Sequence, residues 1–174
     1  MNKTGVIYGI NGPVVYLKGN TGFKMSEMVY VGKERLVGEV IALTKDTTTV
    51  QVFEETTGLK PGETVTASGD ALSVTLGPGI LNNIFDGIER PLSEIAKQSG
   101  KYISRGLTVD SLDTEKKWDV HVTVSEGEEL MGGAIIAETQ ETRSIVHKSM
   151  VPPDVNGTVI WAAKDGKYTI LDPI

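Results

Sequence analysis

The sequence predicts a mainly β protein, with a small six-stranded β-barrel followed by a β-sandwich and short helices at the junction between them. Three observations predict this class. Short apolar and β-branched segments recur along the chain, turn dipeptides such as Asn11-Gly12 separate them, and 20 glycines and 7 prolines accompany few long apolar runs. Short strands at regular spacing, separated by turn residues, are typical of small barrels and sandwiches.

The first domain is predicted to occupy residues 1–76. Asn11-Gly12 between two apolar segments is a strong hairpin signal, and Lys60-Pro61-Gly62 has the residues that a tight turn favours. Gly38 within a strand predicts a bulge or a close backbone approach. Closure into a barrel removes the exposed edges of a sheet. The predicted strands are 5–10, 14–18, 28–32, 36–43, 47–53, 65–67 and 72–76.

A helical junction is predicted over residues 77–105. After Gly77-Pro78-Gly79, apolar residues recur at helical spacing and predict a short helix over 80–88. Arg90-Pro91 ends this helix, because proline is tolerated only near a helix start. A second helix is predicted over 91–98, with Gly100 as its C-terminal stop. The boundary between the two domains is placed between residues 87 and 106.

The last segment, residues 106–174, is predicted to be β again. Val120 and Val122 flank His121, which places His121 on the solvent face of a strand. The order strand, turn, glycine-containing strand occurs twice, over 120–136 and 145–160. Two such units packed face to face would form a flattened sandwich. The predicted strands are 118–124, 134–138, 143–148, 157–162 and 168–171.

Composition excludes several classes of function. The net charge is -6 and the sequence has no cluster of Lys and Arg, so nucleic acid is not an expected partner. The absence of cysteine excludes disulfides and thiolate metal sites and fits a reducing compartment. The N-terminus has no apolar signal region, and no run approaches the roughly 20 apolar residues of a membrane span, so we expect no direct membrane insertion.

The motif for phosphate binding is not present in the sequence. A phosphate loop requires Gly-x-x-x-x-Gly-Lys-Ser/Thr, and none of the Gly32-Lys33, Gly100-Lys101 and Gly166-Lys167 pairs is followed by Ser or Thr. Gly77-Pro78-Gly79 lacks the third glycine of a dinucleotide loop, because Asn82 takes its place, and proline removes one of the N–H groups. We therefore expect a tight turn there.

Catalytic and metal-binding patterns are equally weak. His121 and His147 have neither cysteine nor closely spaced carboxylates, and Glu126-Gly127-Glu128-Glu129 is typical of a solvated turn. The sequence therefore predicts no catalytic, cofactor-binding or metal-binding residue. Lys148 leaves one alternative open, because small β-sandwiches can carry biotin or lipoate on a hairpin lysine. A biotin site has Met on both sides of the lysine, whereas His147 and Ser149 flank Lys148.

Several segments together resemble the head subunits of rotary ATPases. Residues 56–63 resemble a turn in the N-terminal barrel of that family, and residues 72–81 resemble the segment that leaves the barrel. The most specific match is Phe85-Asp86-Gly87-Ile88-Glu89-Arg90-Pro91-Leu92, which is similar to the family's junction signature. The resemblance assigns the following residues to the junction and to assembly: Gly77, Pro78, Gly79, Phe85, Asp86, Gly87, Arg90 and Pro91.

The later segments identify the type of head subunit. Residues 116–118, 132–136, 138–142 and 147–153 resemble the bulge of catalytic A subunits of V/A-type rotary ATPases, a barrel-sandwich hybrid similar to biotinyl and lipoyl domains. Residues 110–115 depart from the usual Pro-Ala-Leu-Asp-Arg run, and Ser149 and Asp154 replace an aliphatic residue and a Gly or Asn. The resemblance assigns four residues to the bulge surface: His147, Lys148, Pro152 and Pro153.

The resemblance implies the N-terminal, non-catalytic part of a catalytic A-type subunit. In that family A and B subunits alternate in a hexameric head that makes or hydrolyses ATP, coupled to proton or sodium transport. ATP or ADP, Mg²⁺ and the phosphate loop would belong to residues beyond Ile174, so this segment alone would not hydrolyse ATP.

The expected partners and location follow from the same resemblance. The barrel would join the B-type and other head subunits, the bulge would contact the stator stalk, and the protein would be cytoplasmic and peripheral to the membrane. The alternatives are a stand-alone barrel and sandwich scaffold, a biotin or lipoate carrier, and a nucleic-acid-binding barrel.

Overall fold

The computed structural model describes residues 3–19, 21–100 and 102–174 and divides the chain into two compact units. Unit 1 comprises Met1–Val74 and Glu94–Thr108, and unit 2 comprises Thr75–Ser93 and Val109–Ile174. The division falls within the helix α1, Leu92–Ser99, which is the one α-helix among the described residues. The two units are therefore interleaved along the chain.

Unit 1 is a closed antiparallel barrel of six strands in the order β1-β2-β5-β4-β3-β6, with β1 paired to β6. The predicted barrel is confirmed, and five of its strands lie within two residues of the expected bounds. The strands are β1 Thr4–Asn11, β2 Val14–Lys18, β3 Glu27–Val31, β4 Leu36–Leu43, β5 Thr47–Val52 and β6 Thr64–Ala71.

The barrel interior is filled by the inward-facing side chains of all six strands. Along β2, for example, Val15 and Leu17 are fully buried while Val14 and Tyr16 are only partly buried, as the two-residue period of a strand requires. Gly38 confirms the predicted close approach, because a Cβ there would lie 2.7 Å from the Gln51 carbonyl oxygen. The core residues are Ile7, Val15, Leu17, Phe23, Val29, Val31, Leu36, Val40, Val50, Val52, Val65 and Ala67.

Polar side chains join the loops of unit 1 to the barrel. The carboxylate of Glu63 accepts hydrogen bonds from the N–H groups of Lys33 at 3.0 Å and Lys60 at 3.1 Å, so it holds two turns together. Arg105, beyond α1, forms an ion pair with Glu34 and donates to the Thr57 carbonyl. These contacts fix a segment that lies some thirty residues or more after the last strand of the barrel.

Unit 2 contains a four-stranded antiparallel sheet in the order β10-β9-β7-β12 and a two-stranded sheet of β11 and β8. Each sheet combines strands from both halves of the internal repeat, whereas the sequence suggested that each half forms its own layer. The strands are β7 Trp118–Val122, β8 Glu129–Leu130, β9 Ile135–Gln140, β10 Val146–Met150, β11 Gly157–Thr158 and β12 Gly166–Tyr168.

Two predicted elements are wrong. Residues 80–88 form turns instead of a helix, with positive φ at Asn82 (66°) and, just beyond, at Glu89 (64°). The side chain of Asp86 accepts hydrogen bonds from nearby backbone N–H groups, and such local bonds compete with a helix. Residues 72–76 leave the barrel without pairing, although β-branched and leucine residues there favoured a strand.

The second predicted helix is confirmed as α1. Glu94 in its first turn and Lys97 in its last turn complement the helix dipole, and their side chains pair at 2.5 Å. Ile95 is buried, and Gly100 follows with φ 73° while its N–H bonds to the Ala96 carbonyl. The predicted glycine stop therefore ends this helix.

Candidate functional site

The junction signature forms a compact turn in unit 2 that is centred on Asp86 and Arg90. Asp86 Oδ1 accepts from the N–H groups of Ile88 at 3.1 Å and Arg90 at 2.9 Å, and its Oδ2 pairs with Arg90 Nε at 2.7 Å. Phe85 and Pro91 form a backbone bridge across the base of this turn. Arg90 is only 8% exposed, so the structure uses the most specific run of the sequence to fix the backbone.

The charge state of Asp86 follows from these contacts. Burial raises the pKa of this carboxyl, but the hydrogen bonds from Arg90 and Ile88 and the positive charge of Arg90 outweigh burial. The pKa of Asp86 is therefore lowered from its usual 3.8, and the carboxylate is charged at neutral pH.

The other motif of the junction, Gly77-Pro78-Gly79, is a tight turn as predicted. A Cβ on Gly77 would lie 2.7 Å from Leu112 Cδ1, and Gly79 has φ 107° with the Trp118 ring beside it. Both glycines are therefore required by packing. The turn contacts side chains of unit 2 and holds no phosphate-binding geometry that the described residues show.

Glu141 fastens this turn to the four-stranded sheet. Its Oε1 accepts from the N–H groups of Gly79 at 2.8 Å and Leu81 at 3.0 Å, while Oε2 lies 3.8 Å from Nδ1 of His147. The Glu141 side chain is only 4% exposed. A buried carboxylate with two backbone donors is a strong local constraint, and sequence reasoning did not single out this residue.

A cavity of about 300 Å³ lies between the inner face of the four-stranded sheet and the segments around residues 75–78 and 169–174 of unit 2. Trp118, Val120 and His147 line it from the sheet. The indole N–H of Trp118 is buried and has no hydrogen-bond partner among the described residues, and Lys116 Nζ lies 3.7 Å from the centre of its ring. The cavity wall is mainly apolar, with no cluster of charged groups facing it.

The four residues assigned to the bulge surface do not share one face. His147 points into the cavity, whereas Lys148 lies on the opposite face of β10 and pairs with Glu138 at 3.3 Å. Pro152 and Pro153 are exposed in the turn after β10, where the Pro153 backbone packs closely on Gly132. Lys148 is therefore a mid-strand residue in an ion pair and not the hairpin-tip lysine that a carrier domain needs.

The outer face of the same sheet carries a row of alternating charges. His121 pairs with Asp165 at 2.7 Å and stands opposite Glu138 in the strand register. The Asp165 hydrogen bond and charge raise the pKa of His121 and, with a bond from the Val122 N–H, lower the pKa of Asp165. His121 is on the solvent face, as predicted.

The residues present do not fit ATP and Mg²⁺. Gly32-Lys33 lies in the turn between β3 and β4, Gly166-Lys167 lies in β12, and Lys101 is outside the described residues. Neither of the two described pairs precedes a helix, so no backbone N–H groups converge there as phosphate binding requires. Within the described ranges no group of three or more His, Asp or Glu could hold a metal ion.

The barrel has an uncharged outer strip on β1 and β2. Val6 and Tyr8 are about half exposed, and the Tyr8 ring lies 6.2 Å from the Tyr16 ring. Tyr16 stands opposite Thr49 of β5, so the strip continues across a third strand without a charge. In unit 2, Met131, Ile160 and Trp161 are exposed near the two-stranded sheet. Sequence patterning could identify outward positions, but not which of them adjoin.

The fold thus comprises a closed antiparallel barrel and a smaller β unit whose backbone the Asp86–Arg90 turn helps to fix. The chain belongs to the ATP synthase alpha/beta family. Residues 7–69 match the model of the β-barrel domain of that family, and residues 109–174 match the barrel-sandwich domain of the ATP synthase alpha/beta subunit. The fold class and family expected from the sequence are confirmed.

Curated relatives extend this similarity over almost the whole chain. It is 50% identical over 170 residues to the V-type ATP synthase alpha chain of Halothermothrix orenii and 51% identical over 170 residues to V-type ATP synthase alpha chain 2 of Clostridium tetani. It is 52% identical over 170 residues to the A subunit of the A-type ATP synthase of Methanopyrus kandleri. Each alignment covers 98% of this chain and 29% of the relative.

No helix in the described part of the chain combines the length and the apolar character that crossing a bilayer requires.

Proposed function

We propose that this chain is the N-terminal, non-catalytic part of the catalytic A-type subunit of a V/A-type rotary ATPase. The observation that carries the proposal is the order of two family domains, barrel then barrel-sandwich, together with about half identity to such subunits over 98% of the chain. ATP synthesis or hydrolysis, coupled to proton or sodium transport, is the activity of the complete enzyme. ATP, ADP and Mg²⁺ bind to parts of the polypeptide outside these residues.

The barrel joins the chain to the B-type and other head subunits. A closed barrel has no strand edge to offer, so a partner must bind to its side-chain surface. The uncharged strip around Val6, Tyr8 and Tyr16 has the aromatic and apolar character of an interface core. The protein is located at the cytoplasmic side of the membrane as a peripheral part of the ATPase head.

Unit 2 contacts the stator stalk. It holds no catalytic constellation among its described residues, yet it exposes large apolar side chains at Met131, Ile160 and Trp161. The glycines and carboxylates of the junction serve assembly by fixing the backbone and not by touching nucleotide.

The barrel proposal is tested in a full-length catalytic polypeptide that contains these 174 residues. Tyr8→Asp places a charge in the uncharged strip, so we expect loss of the alternating hexamer in native mass spectrometry. Lys45→Glu, in the exposed turn between β4 and β5, is the control with a comparable charge change. A hexamer that forms normally with Tyr8→Asp would refute the proposed barrel interface.

The remaining parts of the proposal have their own tests. Titration of the 174-residue chain with Mg-ATP should show no binding, and phosphate release should not exceed that of buffer. In the full-length polypeptide, deletion of residues 109–162 should leave the hexamer intact but remove the stalk subunits from the purified complex. Stalk retention at the normal ratio would contradict the role of unit 2.

A further inference from the structure

The two-stranded sheet of unit 2 forms a ribbon with one uncovered face, which we define as residues 126–131 and 156–161. Leu130 pairs with Gly157 and Glu129 pairs with Thr158, and the hydrogen bond from the Gly127 N–H to the Val159 carbonyl continues the pairing. Opposite residues of an antiparallel pair point to the same face. Glu129 and Thr158 therefore share one face of the ribbon.

The ends of that face are apolar. Alternation along each strand places Met131 and Ile160 on the same face as Glu129, and these two side chains are 74% and 88% exposed. Leu130 and Val159, on the other face, are only partly exposed. The exposed face thus has an apolar residue at each end and a carboxylate between them.

The charge around this face has a single sign. Residues 126–134 and 151–161 contain Glu126, Glu128, Glu129 and Asp154 and no Lys or Arg. An acidic surface with exposed apolar side chains attracts basic, amphipathic partners and repels acidic ones, including anionic lipid and nucleic acid. The Glu138–Lys148 and His121–Asp165 pairs lie on the separate four-stranded sheet and leave the ribbon acidic.

The spacing of the anchors gives the form of the partner. Met131 and Ile160 are four residues apart along the ribbon, which is about 13 Å at the rise of a strand. A helix covers that distance in about two and a half turns, so apolar side chains on one stripe of a helix reach both anchors. Basic residues beside the stripe would then face Glu129 and its acidic neighbours.

We infer that the exposed face of the ribbon binds a basic amphipathic helix of a partner protein. The inference rests on the proposed stalk-binding role of unit 2 and specifies the chemistry of the stalk segment that docks there. The helix lies along the face, its apolar stripe covers Met131 and Ile160, and its Lys or Arg residues pair with Glu126, Glu128 and Glu129.

The test uses the 174-residue chain and two synthetic helical peptides of about 18 residues, or five turns. Both peptides have one leucine stripe, flanked by lysines in the first and by glutamates in the second. Trp161 is 54% exposed beside Ile160, so its fluorescence emission should shift to shorter wavelength when a peptide covers the ribbon. We expect the lysine peptide to bind, salt to weaken its binding, and the glutamate peptide to bind at least about tenfold more weakly.

Variants of the chain locate the site. Ile160→Asn should weaken binding of the lysine peptide at least about tenfold, and Glu129→Gln should weaken it several-fold. The matched controls are Ile145→Asn, which changes a half-exposed isoleucine outside the ribbon, and Glu115→Gln, which changes an exposed carboxylate before β7. Both controls should bind as the unchanged chain does.

Three outcomes would overturn the inference. They are absence of binding by the lysine peptide, equal binding by both peptides, and equal effects of the control and ribbon variants. Sedimentation of the chain alone covers one further occupant, because a dimer that Ile160→Asn dissociates would assign the face to a second copy. Peptide binding needs no assembled head, so its failure is separate from failure of the hexamer or stalk-deletion experiments.

Discussion

Replacing Glu141 should destabilise unit 2 more than any other single carboxylate change in the four-stranded sheet. The side chain is 4% exposed, and its Oε1 accepts from the N–H groups of Gly79 and Leu81 at 2.8 and 3.0 Å. A hydrogen bond to a charged group contributes about 1.5–3 kcal/mol, and alanine leaves both donors without this acceptor. Because the two bonds share one oxygen, we expect Glu141→Ala to lower the free energy of unfolding by about 3–4 kcal/mol.

The assay is urea unfolding followed by tryptophan fluorescence. Both tryptophans of the chain, Trp118 and Trp161, lie in unit 2, so the signal reports this unit alone. With a denaturant dependence of about 2 kcal/mol per molar urea, the midpoint should fall by about 1.5–2 M. Glu141→Gln keeps an oxygen for both donors and should lose less than half as much.

The matched control is Glu138→Ala on the same strand. Glu138 forms an exposed pair with Lys148 at 3.3 Å, and such surface pairs contribute about 0–1 kcal/mol. If Glu141→Ala and Glu138→Ala shifted the midpoint equally, the carboxylate would not fasten the turn and the reasoning would fail.

Three further results are expected. The pKa of Asp86 is lowered in the folded state, so its contribution to stability is present above pH 3.8 and is lost as pH falls through the folded pKa; acid unfolding of Asp86→Asn should show a smaller loss in that range. The pKa of His121 is raised, so its pairing contributes fully below pH 6.5 and is lost as pH rises through the folded pKa; an NMR titration should show the pKa of His121 return towards 6.5 in Asp165→Asn, and no change would contradict the pairing. In unit 1, Gly106→Ala should lower thermal stability by about 1–3 kcal/mol more than Gly62→Ala, since both glycines have positive φ (64° and 95°) but only a Cβ at Gly106 meets backbone; equal losses in circular dichroism melts would refute the clash.

The barrel was predictable because its sequence pattern and its tertiary structure agree. Alternation along strands such as β2, with Val15 and Leu17 inward, is the same signal that closure of the barrel then uses. Gly38 was identified for the same reason, because a glycine in an otherwise regular strand indicates that another backbone lies close.

The junction was predicted less well because side chains there act on the backbone. Residues 80–88 have helical apolar spacing, but Asp86 binds the N–H groups that a helix would need differently placed. Periodicity carries no information about such bonds. Glu141 was missed because its partners, Gly79 and Leu81, lie some sixty residues earlier in the chain.

The surface assignments that came from resemblance were separated by the strand register. His147 and Lys148 are neighbours in sequence, but consecutive residues of a strand face opposite sides, so one lines the cavity and the other pairs with Glu138. A local run of residues therefore identifies a segment, while the register decides which of its side chains a partner can reach.

The interleaving of the two units also sets the order in which the chain can fold during synthesis. The barrel strands are complete at Ala71, but unit 1 still requires Ile95 and Arg105, which emerge only after the first segment of unit 2. That segment in turn waits for Glu141 to bind its turn. A nascent chain that ends soon after Ala71 would therefore expose the surfaces that α1 and Arg105 later cover, and neither unit can be excised by one cut without removing part of the other.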